Sequence, residues 1–139
     1  MRIMAVDYGD RRTGIAVSDV TGALAGETFV ITAYTSSSAL EKVAALALEK
    51  QVGRIVVGYP KNMDGSAGPR AELCEEFAKQ LGQTTGIETV LWDERLTTVD
   101  AHRILSEVGK RGKDRKRTVD AVAASLILEG YLMSPRAKQ

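Results

Sequence analysis

The sequence has little of what several functional classes need. It holds one cysteine, Cys74, and one histidine, His102, among 139 residues. A lone cysteine excludes an intrachain disulfide and cysteine-rich zinc sites. With a single histidine, Ser-His or Cys-His catalysis has little to build on. The sparing use of cysteine fits a reducing compartment, so the cytoplasm is the expected location. Aromatic residues make up only 5% of the chain, which favours a binding surface built on charge over one built on stacked bases. The net charge is +1, so no overall excess of one sign announces a nucleic-acid binder. Long hydrophobic runs are missing too. The first, Ile3 to Val6, stops at Asp7 and shows no signal peptide, and AVAASLIL is far too short to cross a bilayer. No membrane partner is expected.

What remains is ordinary globular chemistry, 44% hydrophobic and 27% charged. The length fits one domain over residues 1–139 with a substantial core, and a flexible tail is expected from residue 134 to 139. Arg2 to Val6 reads as a central strand covered on both faces. GDRRTG supplies a turn and GIAVSD a second strand, making a hairpin, and ETFVITAY adds a third strand. The pattern then becomes helical. SSSALEKVAALALEK carries a capping box in Ser38 and Glu41, with Leu40, Val43, Ala44, Ala47 and Leu48 at helical spacing. GRIVVGYP is a buried strand. PRAELCEEFAKQLG is a helix with Ala71, Cys74, Phe77, Ala78 and Leu81 on its apolar stripe. IETVLWDE is a fifth strand, a helix from about Thr97 to Val108 follows, then a basic loop, then a last helix in TVDAVAASLILEGYL. The order βββαβαβαα predicts an α/β fold, a mixed five-stranded sheet flanked by helices.

Three carboxylates stand out on this frame. Asp7 ends the central strand. Glu94 ends the fifth, sharing a face with Val90 and Trp92 while Asp93 points the other way. Asp120 falls in the first turn of the last helix, on the stripe that continues through Ala124, Ile127 and Leu128. Gathered at one sheet edge, three carboxylates repel, and a divalent cation offsets that. An oxygen-only ligand set favours Mg²⁺ or Mn²⁺ over zinc, and such an ion can activate water against a phosphodiester. Each acid also has a plain structural reading. Asp7 could begin a turn, Glu94 could pair with Arg95 at the surface, and Asp120 could simply favour a helix N-terminus.

The cations are concentrated. KRGKDRKR, residues 110–117, holds Lys110, Arg111, Lys113, Arg115, Lys116 and Arg117 against one acid, a local net of +5, so the rest of the chain carries −4. Such a run is also what a solvated loop looks like, and the two readings agree if the loop orders on RNA. Arg11 and Arg12 follow Asp7 in the hairpin turn. Lys61, Asn62 and Arg70 lie in PKNMDGSAGPR, where glycines and a helix N-terminus could meet a phosphate. With Arg95, these complete the candidate nucleic-acid contacts. Cys74 and Trp92 read as core, and His102 as a residue on the polar side of its helix.

Together AVDYGDRRTGIAVSD, VVGYPKNMDGSAGPR, DERLTT and TVDAVAAS resemble the YqgF family of Holliday-junction-resolvase-like proteins. That family's members are regarded as nucleases for the 5′ end of pre-16S ribosomal RNA. The motifs occur in the family's order and span Ala5 to Ser125. The resemblance implies a ribonuclease H-like fold and a hydrolase using Mg²⁺ or Mn²⁺, with Asp7, Glu94 and Asp120 as metal-binding catalytic acids. Its implied partner is structured RNA, as pre-rRNA or ribosomal particles. One departure is Tyr59, which stands where a smaller aliphatic residue usually follows the glycine. Branched DNA is a second possible substrate, cut by a homodimer and not by a monomer, and a non-catalytic ribosome- or RNA-binding module is a third reading.

Overall fold

The computed structural model describes residues 1–23, 25–60, 68–93 and 115–134, with 115–120 as backbone only. Its middle strand, β1 (Arg2–Asp7), is what an unbroken apolar run demands. Ile3 to Val6 are at most 3% exposed, and the pleat divides them between two cores. Met4 and Val6 enter one, Ile3 and Ala5 the other.

β2 (Arg12–Ser18) returns antiparallel to β1, with Met4 opposite Val17 and Asp7 opposite Gly14. β3 (Ala25–Thr32) pairs with β2 and forms one edge. After α1 (Ser36–Glu49), β4 (Val52–Tyr59) lies parallel on the other side of β1. After α2 (Pro69–Thr85), β5 (Glu88–Asp93) lies parallel to β4. The order is β3-β2-β1-β4-β5, the mixed five-stranded sheet expected from the sequence. α1 and α2 cover one face, where Val43, Ala47, Cys74, Phe77 and Leu81 meet Met4, Val6, Ile55 and Val57. The last helix, α3 (Arg115–Leu132), covers the other, setting Ala124, Ile127, Leu128 and Tyr131 on Ile3, Ala5, Ala16, Val56 and Trp92. Cys74 and Trp92 are core residues, as expected. The helix expected near 97–108, with His102, lies outside the described residues, as does the tail from 135 onward; Ser134 is tied back to the Tyr131 carbonyl.

Three boundaries differ from expectation. α1 is capped by Thr35, whose hydroxyl accepts from the Ser38 amide, so Ser38 lies inside the first turn. Its buried face is Ala39, Val43, Ala44 and Ala47, and Leu48 is exposed. β3 starts two residues earlier than ETFVITAY and ends at Thr32, leaving Tyr34 in solvent. α3 starts at Arg115, so Arg115, Lys116 and Arg117 form its first turn instead of a loop, and Asp120 falls in the second turn. Lys and Arg are good helix formers, and nothing in DRKRTVD breaks a helix.

The lower end of the sheet holds a buried cation. Arg54, 6% exposed, donates through Nη1 to the Tyr131 hydroxyl at 2.8 Å and through Nε to Glu88 at 3.0 Å. Burial opposes its charge, but the hydrogen bonds to Tyr131 and Glu88 outweigh that and raise its pKa above the ordinary value. Tyr131 also packs edge-on against Trp92. Arg54 therefore fastens α3 to β4 and β5. Tyr131→Phe should cost about 1–3 kcal/mol in urea denaturation, because it strips a buried charge of one partner. Glu88→Ala, at a side chain 58% exposed, should cost under about 1 kcal/mol. Equal effects would contradict this division.

Candidate functional site

β1, β4 and β5 run in parallel, so Asp7, Tyr59 and Asp93 end at the same sheet edge. β1 leads on to β2 on one side, while β4 leads through α2 to β5 on the other. Ligands of open α/β sheets bind where the strand order diverges in this way, outside the carboxyl ends of the strands. Asp7 stands at that point.

Alternation along β1 puts Asp7 on the face of Ile3 and Ala5, the face that α3 covers. Opposite it in β2 is Gly14. On the other side Val6 pairs with Val57 in β4, and the next residues along are Asp7 and Gly58. The half-buried carboxylate thus ends its strand with a glycine on each adjoining strand. On β5, Trp92 lies level with Gly58 and faces α3. Glu94 lies outside the described residues. Asp120 lies on α3, on the same side of the sheet as Asp7, eleven residues before Tyr131, or about 16 Å along the helix axis. Among the described residues no group of three or more His, Cys, Asp or Glu side chains could hold a metal ion. Of the three proposed acids, only Asp7 has a described side chain. The donor types fit a hard divalent cation, being carboxylates alone.

The turn after Asp7 is tightly built. A Cβ on Gly9 would collide with the Arg12 carbonyl oxygen, so only glycine fits. Gly9, Asp10, Arg11 and Arg12 line an open cleft of about 390 Å³ beside the site. Arg11 is exposed and Arg12 half-buried, which puts two of the expected phosphate contacts at its mouth. Arg70, in the first turn of α2, reaches the same turn. It donates through Nη1 to Asp10 at 2.7 Å and through Nη2 to the Tyr8 carbonyl. Sequence reasoning missed Tyr8 and Asp10 as its partners. Period-two alternation does place Tyr8 on the opposite face from Asp7, towards α2, where its ring stacks on Phe77. Lys61, Asn62, Arg95, Lys110, Arg111 and Lys113 lie outside the described residues, and Arg115, Lys116 and Arg117 are placed by backbone alone.

Tyr59 has a local explanation. It points to the α2 face and donates to Glu75 at 2.6 Å. That bond first, then burial and the nearby acids Glu75, Asp93 and Glu72, push its phenol pKa above the ordinary value. The larger side chain is anchored away from Asp7. Gly9→Ala is expected to destabilise the fold by about 1–3 kcal/mol in chemical denaturation, since the added methyl overpacks the turn. A variant as stable as the parent would show that the turn has slack.

Among the described residues no helix is long and apolar enough to cross a membrane. Comparison with known proteins supplies the remaining facts. A protein from Halothermothrix orenii, named "Putative pre-16S rRNA nuclease", is 48% identical over 95% of this chain and 94% of its own length. One of the same name from Carboxydothermus hydrogenoformans is 42% identical over 95% and 96%. Among solved structures, RuvC of T. thermophilus in complex with a Holliday junction substrate is similar at a TM-score of 0.64, with 11% identity and 94% of both chains covered. The Fowlpox virus resolvase bound to Holliday junction DNA follows at 0.55, with 13% identity over 95% of this chain and 97% of that one. At such identities the likeness concerns the fold, which is ribonuclease H-like, as the sequence motifs implied. The family model described as "RuvX: Holliday junction resolvase" matches residues 1–134, and the chain belongs to that family, also known as YqgF, whose members are hydrolases of phosphodiester bonds.

Proposed function

We propose that this protein is a metal-dependent endonuclease that processes the 5′ end of pre-16S rRNA, acting in the cytoplasm as one domain over residues 1–139. The observation that carries the reading is the setting of Asp7. It is a carboxylate at the carboxyl edge of the middle strand, between two glycines, on the face covered by the helix that bears Asp120. The names of the relatives support ribosomal precursor as the substrate.

In this reading Asp7, Glu94 and Asp120 would hold Mg²⁺ or Mn²⁺, which when bound neutralises the acids and stabilises charge on the reacting phosphoryl group. The chain itself does the positioning. The ladder to Gly14 fixes Asp7. Arg11 and Arg12 meet the RNA backbone at the cleft. Arg115, Lys116 and Arg117 occupy the first turn of α3, where cations work against the helix dipole and an anionic polymer relieves that cost. The family's description favours a second reading, cleavage of four-way DNA junctions. That activity needs two sites related by a dimer axis.

Asp7→Asn, Glu94→Gln and Asp120→Asn should each lower Mg²⁺-dependent cleavage of labelled precursor rRNA by about two orders of magnitude or more, because several kcal/mol of transition-state stabilisation are at stake. Circular dichroism should remain that of the parent. Three variants that cut like the parent would refute the site. A parent that cuts four-way junctions as a dimer and leaves rRNA intact would favour the second reading. Salt-sensitive RNA binding without cleavage at any Mg²⁺ or Mn²⁺ concentration would make the protein a binding module.

A further inference from the structure

We propose that Arg70 is a positioning residue for Asp7, clamping the β1–β2 turn to α2 so that the carboxylate stays in register with its site. The proposal rests on the nuclease reading above. The ladder with β4 closes at the Val6–Val57 pair and that with β2 at Asp7–Gly14. Immediately past both, Arg70 takes hold. Its guanidinium donates to the carbonyl of Tyr8, the residue after Asp7, and to the carboxylate of Asp10, spanning Gly9 from both sides. The guanidinium carbon also lies over the Tyr8 ring, 5.2 Å from its centroid. That ring is stacked on Phe77 at 4.2 Å with a 12° interplanar angle, and Phe77 is 3% exposed. A column of Arg70, Tyr8 and Phe77 therefore runs from the turn into the core.

The Asp10 arm of the clamp adds little stability. Asp10 is 88% exposed, and an ion pair with so solvated a carboxylate adds little to folding. What the contacts do is fix geometry. Arg70 opens α2, which follows β4, and the turn it holds follows β1; these are the two segments that diverge at the edge where Asp7 sits. A planar fork can serve a carbonyl, a carboxylate and a ring face together, whereas an ammonium on a flexible stem cannot.

The test uses the full-length protein with Mg²⁺ and labelled precursor rRNA, comparing parent, Arg70→Lys, Arg70→Ala, Asp10→Asn and Asp7→Asn. Small displacements of a reacting group cost up to about 100-fold, so both Arg70 variants should lose about 10- to 100-fold in kcat. Lysine, though it keeps the charge, should not rescue. RNA affinity should stay within about threefold, with its salt dependence unchanged. Asp10→Asn, which weakens one arm of the clamp and leaves the core alone, should fall between, and so covers an Arg70 variant that fails to fold. Amide exchange at Gly9 and Asp10 should quicken about tenfold in Arg70→Lys, a readout independent of catalysis. Rescue of kcat by lysine, unchanged exchange, or a loss confined to affinity with a shallower salt slope would overturn the proposal; the last would make Arg70 a phosphate contact. If Asp7→Asn is inactive and Arg70→Lys fully active, the clamp fails and the nuclease reading stands. If Asp7→Asn cuts like the parent, the nuclease reading itself fails.

Discussion

An ionised carboxylate cannot lie in the middle of a packed sheet unless something balances its charge, and β1 brings one to the very lip of such a sheet. Four consecutive residues, Ile3 to Val6, are sealed between two helical layers. The fifth is Asp7, half-buried, on the face that α3 covers. One residue deeper, the charge would carry a desolvation penalty of several kcal/mol; one residue later, it would be an ordinary turn aspartate. Everything around this position bears on how that charge is managed. Glycines adjoin it on both neighbouring strands, and the turn beyond it is closed by a glycine that admits no Cβ.

The two layers of helix divide the work. α1 and α2 build the larger core, and α2 also sends Arg70 back to the turn after Asp7. α3 seals the other face and carries Asp120. Its far end is pinned by the Arg54–Tyr131 contact. A buried arginine hydrogen-bonded to a tyrosine is demanding in geometry, so it fixes how α3 lies over the strands. The anchor sits at one end of the sheet and Asp7 at the other. In this reading stability and chemistry are placed at opposite edges, and the positive charge gathered over residues 110–117 leads into the helix that links them.

Much of this was legible in the residues because it rests on local periodicity. The unbroken apolar run Ile3–Val6 foretold the burial on both faces. The stripe Ala71, Cys74, Phe77, Ala78 and Leu81 is buried as its spacing required. The start of α1 was ambiguous for a physical reason: Thr35, Ser36, Ser37 and Ser38 are all competent caps, and tertiary context selects Thr35. The start of α3 was obscured by charge, since a basic run reads as a loop although its residues favour helix. With α3 beginning at Arg115, Asp120 stands in the second turn, beyond most of the reach of the helix dipole. The dipole thus explains less of why an acid is there. Arg54 with Tyr131, and Arg70 with Tyr8 and Asp10, join residues 60 or more positions apart. No spacing rule encodes such pairs; they exist only once the sheet has assembled.

The central claim is that Asp7 and Asp120 belong to one cation site. Calorimetric titration of Mn²⁺ into the parent, Asp7→Asn and Asp120→Asn tests it without reference to any substrate. If the two acids share an ion, the parent binds Mn²⁺ and each variant loses about tenfold or more in affinity, since each removes a charged ligand. Unchanged Mn²⁺ binding in both variants would contradict the shared site.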